Sequence, residues 1–314
     1  MSATSQDITR TRAWVMAARP QTLPAAAAPV VVGTGLAVHD GVFAALPALF
    51  ALLGAALIQV ATNFANDYYD AIQGADTDQR EGFTRVTASG LISAAEVKRA
   101  MYLTFLLAVV VGTYLVFVGG VPILVVGLLS VASGIAYTGG PYPLGYHGLG
   151  DLFVFVFFGL VAVVGTYYVQ ATAVLGEAFP LWLPPETMTL AALVVSLPIA
   201  AISTNILVVN NLRDRREDAQ TGKRTLVVRF GPRFARAQFV SLFALAYAVP
   251  LYLLSLPAFG LPVLLPLLSL PLAVGVTRTV LTGESGAELN PALEDTGKVL
   301  ALYAVLAAVG FALP

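Results

Sequence analysis

FAALPALFALLGAALIQVATNFANDYYD, residues 43–70, decides how the chain is to be read. From Phe43 to Asn66 it contains no Asp, Glu, Lys or Arg, and then Asp67 and Asp70 follow in quick succession. An uncharged run of this kind matches the roughly 20 residues needed to cross the hydrocarbon core of a bilayer. Carboxylates are costly beside that core, and where they occur they mark functional positions. A second apolar run, 190–211, closes in the same way on Asn210-Asn211-Leu212-Arg213-Asp214, with Asp218 a helical turn further on.

The rest of the chain has the same character. Of its 314 residues 58% are hydrophobic and only 11% charged, where a soluble domain carries about 25% charged residues. The fold class is therefore an all-α integral membrane protein. Apolar segments near 20–38, 43–65, 99–118, 121–138, 151–174, 190–211, 237–256, 261–281 and 297–313 predict about nine spanning helices in one domain over 1–314. The two clusters, each an apolar helix ending in Asn and Asp, suggest related halves at about 20–138 and 151–281, with a ninth helix following. The absence of cysteine excludes disulfides and thiolate chemistry. A net charge of −1 gives no footing for nucleic acid. The polar N-terminal segment lacks the short apolar core of a signal peptide and is expected to be retained.

Net charge conceals a strong asymmetry. All 17 Lys and Arg fall in the N-terminal tail, in 66–98, 139–150, 212–236 and 282–296, or at the helix ends beside them. The alternate connections, near 39–42, 119–120, 175–189 and 257–260, contain none. The positive-inside rule then predicts a cytoplasmic N-terminus in the cell's inner membrane, with both Asn/Asp clusters on the cytoplasmic face. Trp14 among its Arg neighbours predicts a surface helix ahead of the first span, and Trp182 with Pro184 and Pro185 an interfacial turn.

If the helices run on past the membrane, Asn63, Asn66/Asp67 and Asp70 share one face, as do Asn211, Asp214 and Asp218. Asp near a helix C-terminus opposes the macrodipole, so carboxylates crowded there call for a cation. Magnesium takes hard oxygen ligands, commonly one or two carboxylates completed by water and substrate phosphate. Basic residues flank both clusters: Arg80 and Arg85 after the first, Arg213, Arg215, Arg216, Lys223, Arg224 and Arg229 around the second. Such groups suit phosphate oxygens and a departing diphosphate. The predicted guests are magnesium and an anionic substrate bearing a diphosphate. A cation transporter is the alternative of another class, but it calls for charged residues at mid-membrane, where these spans are nearly bare.

Four stretches carry a family resemblance along most of the chain. They are Ala18-Arg19-Pro20-Gln21-Thr22-Leu23-Pro24; Asn66-Asp67-Tyr68-Tyr69-Asp70 with Gly74 and Asp76; Tyr137-Thr138-Gly139-Gly140-Pro141 with Gly148-Leu149-Gly150-Asp151; and Asn211 to Asp218 with Gly222-Lys223-Arg224-Thr225-Leu226. Together they resemble the UbiA superfamily of intramembrane prenyltransferases, and within it the branch acting on 1,4-dihydroxy-2-naphthoate. The resemblance implies a nine-helix bundle around a central cavity capped on the cytoplasmic side. It implies magnesium on Asn66, Asp70, Asp76, Asp214 and Asp218, with Asn211 alongside, holding a polyprenyl diphosphate. Lys223, with Arg85 or Arg224, would neutralise the leaving group, and decarboxylation would give the demethylmenaquinol skeleton, which oxidises to the quinone. Asp67 is a candidate for activating the acceptor hydroxyl. Tyr68, Tyr137 and Tyr142 either orient the acceptor and shield the allylic cation or belong to an interfacial belt. Asn63, Arg213 and Arg224 complete the expected substrate contacts. Other acceptors known to the superfamily, such as 4-hydroxybenzoate, homogentisate or an ether-lipid glycerol phosphate, are the alternatives.

Overall fold

Apolar helices are the only open-ended elements that satisfy every backbone polar group inside a bilayer, and this chain is built from them. A computed structural model describes residues 8–74 and 85–314. Eleven α-helices follow one another: α1 Arg10–Ala18, α2 Leu23–His39, α3 Ala45–Ile72, α4 Ala94–Ala136, α5 Gly150–Val154, α6 Ala162–Leu175, α7 Leu190–Gln220, α8 Leu226–Phe230, α9 Pro232–Leu254, α10 Leu270–Thr282 and α11 Gly286–Ala312. A π-helical stretch, Phe155–Val161, joins α5 to α6. Among the described residues, eight helical segments are long and apolar enough to cross a membrane.

The longest of them folds back on itself. The 43 residues of α4, at 1.5 Å each, would reach about 65 Å, roughly twice the hydrocarbon thickness. Gly120 breaks the run with φ 63° and ψ −150°, a conformation open to glycine and strained for other residues. Val97, Met101 and Phe105 from before the break then pack in one cluster with Val131 and Ile135 from after it. The sequence places two spans here, 99–118 and 121–138. The loop after α6 closes over the break, with the Val121 N–H donating to Pro180 O at 3.0 Å.

Local chemistry sets the starts of several helices. Ser93-x-x-Glu96 and Ser285-x-x-Glu288 form capping boxes at the heads of α4 and α11, each supplying two of the otherwise unpaired backbone donors. Thr9 caps α1, the helix expected around Trp14, and Trp14 meets Phe64 of α3 edge-on at 5.9 Å. Arg19, with φ 51°, turns the chain from α1 through Pro20–Thr22 into α2.

Two apolar clusters hold the bundle. One joins α1, α3 and α4; the larger joins α2, α6, α7, α9, α10 and α11. Beside the larger cluster Gly159 of the π stretch lies so close to α7 that a Cβ there would clash with that of Ala200. Gly159→Val is expected to destabilise the fold by about 1–3 kcal/mol, the usual cost of overpacking, read as a lower apparent unfolding midpoint in detergent. An unchanged midpoint would show that α7 can move away freely.

Between the clusters lies a cavity of about 710 Å³ lined by α2, α3, α4, the π stretch and α6. Asn63, Asn66 and Tyr137 stand at its polar end, while Phe157, Phe158, Val116 and Ile123 line its apolar walls. Its lining includes Val109 and Leu128, which are 49% and 63% exposed, so it opens onto the flank of the bundle.

Candidate active site

Both acidic helices run on beyond the apolar segments, α3 to Ile72 and α7 to Gln220, carrying their Asn and Asp residues into the last turns. The first cluster divides by helical geometry. Successive residues are ~100° apart around a helix and residues four apart nearly superpose, so Asn66 pairs with Asp70 and Asn63 with Asp67.

The Asn66/Asp70 face meets the rest of the site. Asp70 is 1% exposed. Its Oδ2 accepts from Arg85 Nη2 at 2.8 Å, its Oδ1 accepts from the Tyr146 hydroxyl at 2.6 Å, and Lys223 Nζ lies 3.5 Å from Oδ1. Asn66 accepts from the Thr138 hydroxyl at 2.9 Å. The Tyr137 hydroxyl lies within electrostatic range of Asp70, Asp151 and Asp218, which brings the first and second acidic helices to the same end of the bundle. Asp151, in the first turn of α5, accepts from Gln238 of α9 at 3.0 Å.

The other face turns toward the N-terminal segment. Asn63 Nδ2 donates to Ala18 O at 2.8 Å and to Thr22 Oγ1 at 2.9 Å, while Gln59 Nε2 donates to the same hydroxyl at 3.0 Å. The Thr22 hydroxyl in turn donates to Arg19 O at 2.9 Å. Asp67 Oδ2 accepts from both the N–H and the hydroxyl of Thr87, at 3.1 and 2.5 Å, and Arg19 stands 3.8 Å from its other oxygen. Asp67, expected as a catalytic group, ties the segment around Thr87 and the Arg19 turn to α3. Asn63, expected to contact substrate, lines the cavity but spends its donors on the N-terminal segment.

On α7, Asn211, Asp214 and Asp218 are all buried. Asp214 is held by Arg213 in a bidentate pair at 2.6 and 2.8 Å, and Arg213 also donates to Asn210 at 2.8 Å and to Asn290 of α11 at 3.1 Å. Arg213, for which the sequence suggested a substrate contact, is 6% exposed and makes all of these bonds inside the protein. Tyr68 lies beneath Lys98, whose ammonium is 5.6 Å from the ring centroid, away from Asp70. Tyr142 is 55% exposed and stacks on His147 at 3.6 Å. Arg224 is exposed, and its backbone N–H donates to Tyr146 O at 2.7 Å. Asp76 lies outside the described residues.

Tyr146, which the sequence did not single out, joins the loop 139–150 to both clusters. Beyond its bond to Asp70, its ring carries the Lys223 ammonium at 4.7 Å. The loop is fastened from three sides: Gln73 donates to Thr138 O at 3.0 Å, Gly145 N–H to Tyr137 O at 2.9 Å, and Arg229 to His147 O at 2.8 Å. Nothing in the sequence separates Tyr146 from Tyr142; the turn Leu144–His147 sends them different ways.

Among the described residues no three carboxylate or histidine side chains gather into a ready-made ligand set. The donors at this end are carboxylate and amide oxygens on two helices, the set that suits magnesium completed by phosphate oxygens. Cationic Arg85 and Lys223 beside them suit the same phosphates. Buried acid and base at one end, with an apolar cavity opening sideways below, define an intramembrane enzyme for a substrate with an anionic head and an apolar tail.

The chain belongs to the UbiA prenyltransferase family, whose model matches residues 26–293. It is 39% identical to the 1,4-dihydroxy-2-naphthoate octaprenyltransferase of Escherichia coli (strain K12), over 98% of this chain and 97% of that one. It is 38% identical to the protein of the same name in Mycobacterium tuberculosis, over 94% and 95% of the two chains. The fold matches a UbiA homologue from Aeropyrum pernix K1 with a TM-score of 0.67 at 14% identity, covering 91% and 96% of the two chains. It also matches a UbiA homologue from Archaeoglobus fulgidus bound to GPP and Mg2+, with a TM-score of 0.61 at 16% identity over 96% and 100%. The chain is a multi-pass membrane protein of all-helical fold.

Proposed function

We propose that this protein transfers a polyprenyl group from its diphosphate to 1,4-dihydroxy-2-naphthoate, with loss of the carboxylate as CO2. The observation that carries the reading is the pairing of Asp70 with Arg85 and Lys223, one helical turn beyond Asn66, which lines the polar end of an apolar cavity. That arrangement provides acid for a metal, base for phosphate and a dry volume for an isoprenoid. The relatives' names supply the acceptor.

The donor's diphosphate sits at the polar end, within reach of Lys223 and Arg85, and its tail lies along the cavity. Asn66, Asp70, Asn211, Asp214 and Asp218, together with Asp76, would hold magnesium. When bound, magnesium neutralises phosphate oxygens and helps the diphosphate leave. As the allylic C–O bond breaks, Lys223 and Arg85 stabilise the charge gathering on the leaving group. The walls of Phe157, Phe158 and Val116 keep water from the allylic cation. The acceptor ring attacks through the carbon bearing the carboxylate, a C–C bond forms, and departure of CO2 restores aromaticity. Tyr137, which lines the cavity's polar end, would face the acceptor. The charge asymmetry of the connections supports a cytoplasmic position for this end, and the cell's inner membrane is the proposed location.

The test is purified protein in lipid with magnesium, a polyprenyl diphosphate and each candidate acceptor in turn. With dihydroxynaphthoate the prenylated naphthoquinol should form, read as its quinone after oxidation by air, and 4-hydroxybenzoate and homogentisate should give no prenylated product. A chelator should abolish turnover and added magnesium restore it. Turnover that persists in chelator would overturn the metal assignment, and preference for another acceptor would overturn the substrate.

A further inference from the structure

We propose that Tyr146 is a positioning residue for the donor's diphosphate, fixing Asp70 through its hydroxyl and Lys223 through its ring. The inference rests on the reading of this end of the bundle as the diphosphate site. Two clusters far apart in sequence meet here, and a single side chain touches a charged member of each. The Tyr146 hydroxyl donates to Asp70 Oδ1 at 2.6 Å, and Lys223 Nζ stands 4.7 Å from the ring centroid and 3.5 Å from the same carboxylate oxygen.

A lysine is a poor candidate for self-orientation. Its four-carbon stem has many rotamers, and its ammonium is a point charge without the fixed fork of arginine. Lys223 follows Gly222, which has φ +83° and no neighbour where a side chain would stand, so no adjacent side chain braces the lysine from that position. Its side chain is nevertheless only 13% exposed. An aromatic face beneath the ammonium and a carboxylate beside it supply the constraint instead. Tyr146 is itself anchored, since its carbonyl accepts from the Arg224 N–H at 2.7 Å. The loop and the residue next to Lys223 are thereby locked to one another.

The two functions of Tyr146 are separable. Tyr146→Phe keeps the ring under Lys223 and removes the hydrogen bond to Asp70; Tyr146→Leu removes both. Binding of an unreactive farnesyl thiodiphosphate with magnesium, measured by calorimetry on the full chain in nanodiscs, reports the site without turnover. Tyr146→Leu is expected to weaken binding about tenfold, which is about 1.4 kcal/mol, and Tyr146→Phe less than threefold. In steady-state assays Tyr146→Leu should raise the donor KM and leave the acceptor KM within twofold. Lys223→Met should weaken donor binding in the wild-type background, and much less in the Tyr146→Leu background.

Equal loss from Phe and Leu would overturn the role of the ring, and additive effects of Tyr146→Leu and Lys223→Met would overturn the link between the residues. A rise confined to the acceptor KM would assign Tyr146 to the other substrate and overturn the proposal. Should Tyr146→Leu fail to fold, Tyr146→Met, which also removes the ring, combined with Lys223→Met gives the same coupling measurement. Failure of the wild-type protein to bind the analogue would instead overturn the diphosphate site itself.

Discussion

Asp70→Asn is expected to lower turnover about a thousandfold, the upper part of the range for removing one preorganised electrostatic group from a reaction centre. Asp70 is buried and holds Arg85, Lys223 and Tyr146 at once, so the substitution disturbs the acid meant for magnesium and the bases meant for diphosphate together. Asn keeps the size of the side chain and one acceptor oxygen, and so limits the effect on folding. Alanine would remove the partner from two buried cations and mix a rate effect with a stability cost of about 3–5 kcal/mol. Asp67→Asn is the informative control. It lies on the same helix, equally buried, but faces Thr87 and Arg19. Its effect should be on stability and modest on rate, within about tenfold by the scale of a single hydrogen bond. Activity of Asp70→Asn within tenfold of wild type, measured at saturating donor and magnesium, would remove Asp70 from the centre of the mechanism.

The second large effect is on the fold. Arg213→Leu should destabilise the protein by about 3–5 kcal/mol, because it strips the bidentate partner from a buried carboxylate. Arg213 also bridges α7 to α11 through Asn290, so the loss is expected to loosen the packing of the last helix. A lowered apparent midpoint in detergent, with earlier proteolysis near residues 283–290, is the expected readout. A variant of normal stability with a raised donor KM would return Arg213 to the substrate contacts the sequence first suggested.

What the chain discloses without its structure depends on whether the signal is periodic or positional. Charge-free runs with carboxylates at their ends are such a signal, and they disclose the fold class and the two acidic helices. Gly119-Gly120 between two apolar runs was enough to mark the point where α4 reverses. Asp67 and Asp70 could not be ranked, because both are acids at the end of one helix and only their neighbours across the bundle distinguish them. Arg213 looks like any cation obeying the positive-inside rule; its burial depends on the approach of α11 about 77 residues later. Tyr146 was hidden for a different reason. It belongs to a loop whose path is set by Pro143, which starts the turn, and by Gly148, whose φ of 77° ends it, and loop path has no period to read. The π stretch Phe155–Val161 is equally silent in sequence, since it looks like any other apolar helix.

The opening of the cavity onto the helical flank has a consequence for how this enzyme experiences concentration. Under the proposed reaction the donor would slide in from the surrounding leaflet through the side on which Val109 and Leu128 are exposed, with its tail already dissolved there. The quantity that governs encounter would then be the mole fraction of donor among lipids, an amount per membrane area and not per volume of cytosol.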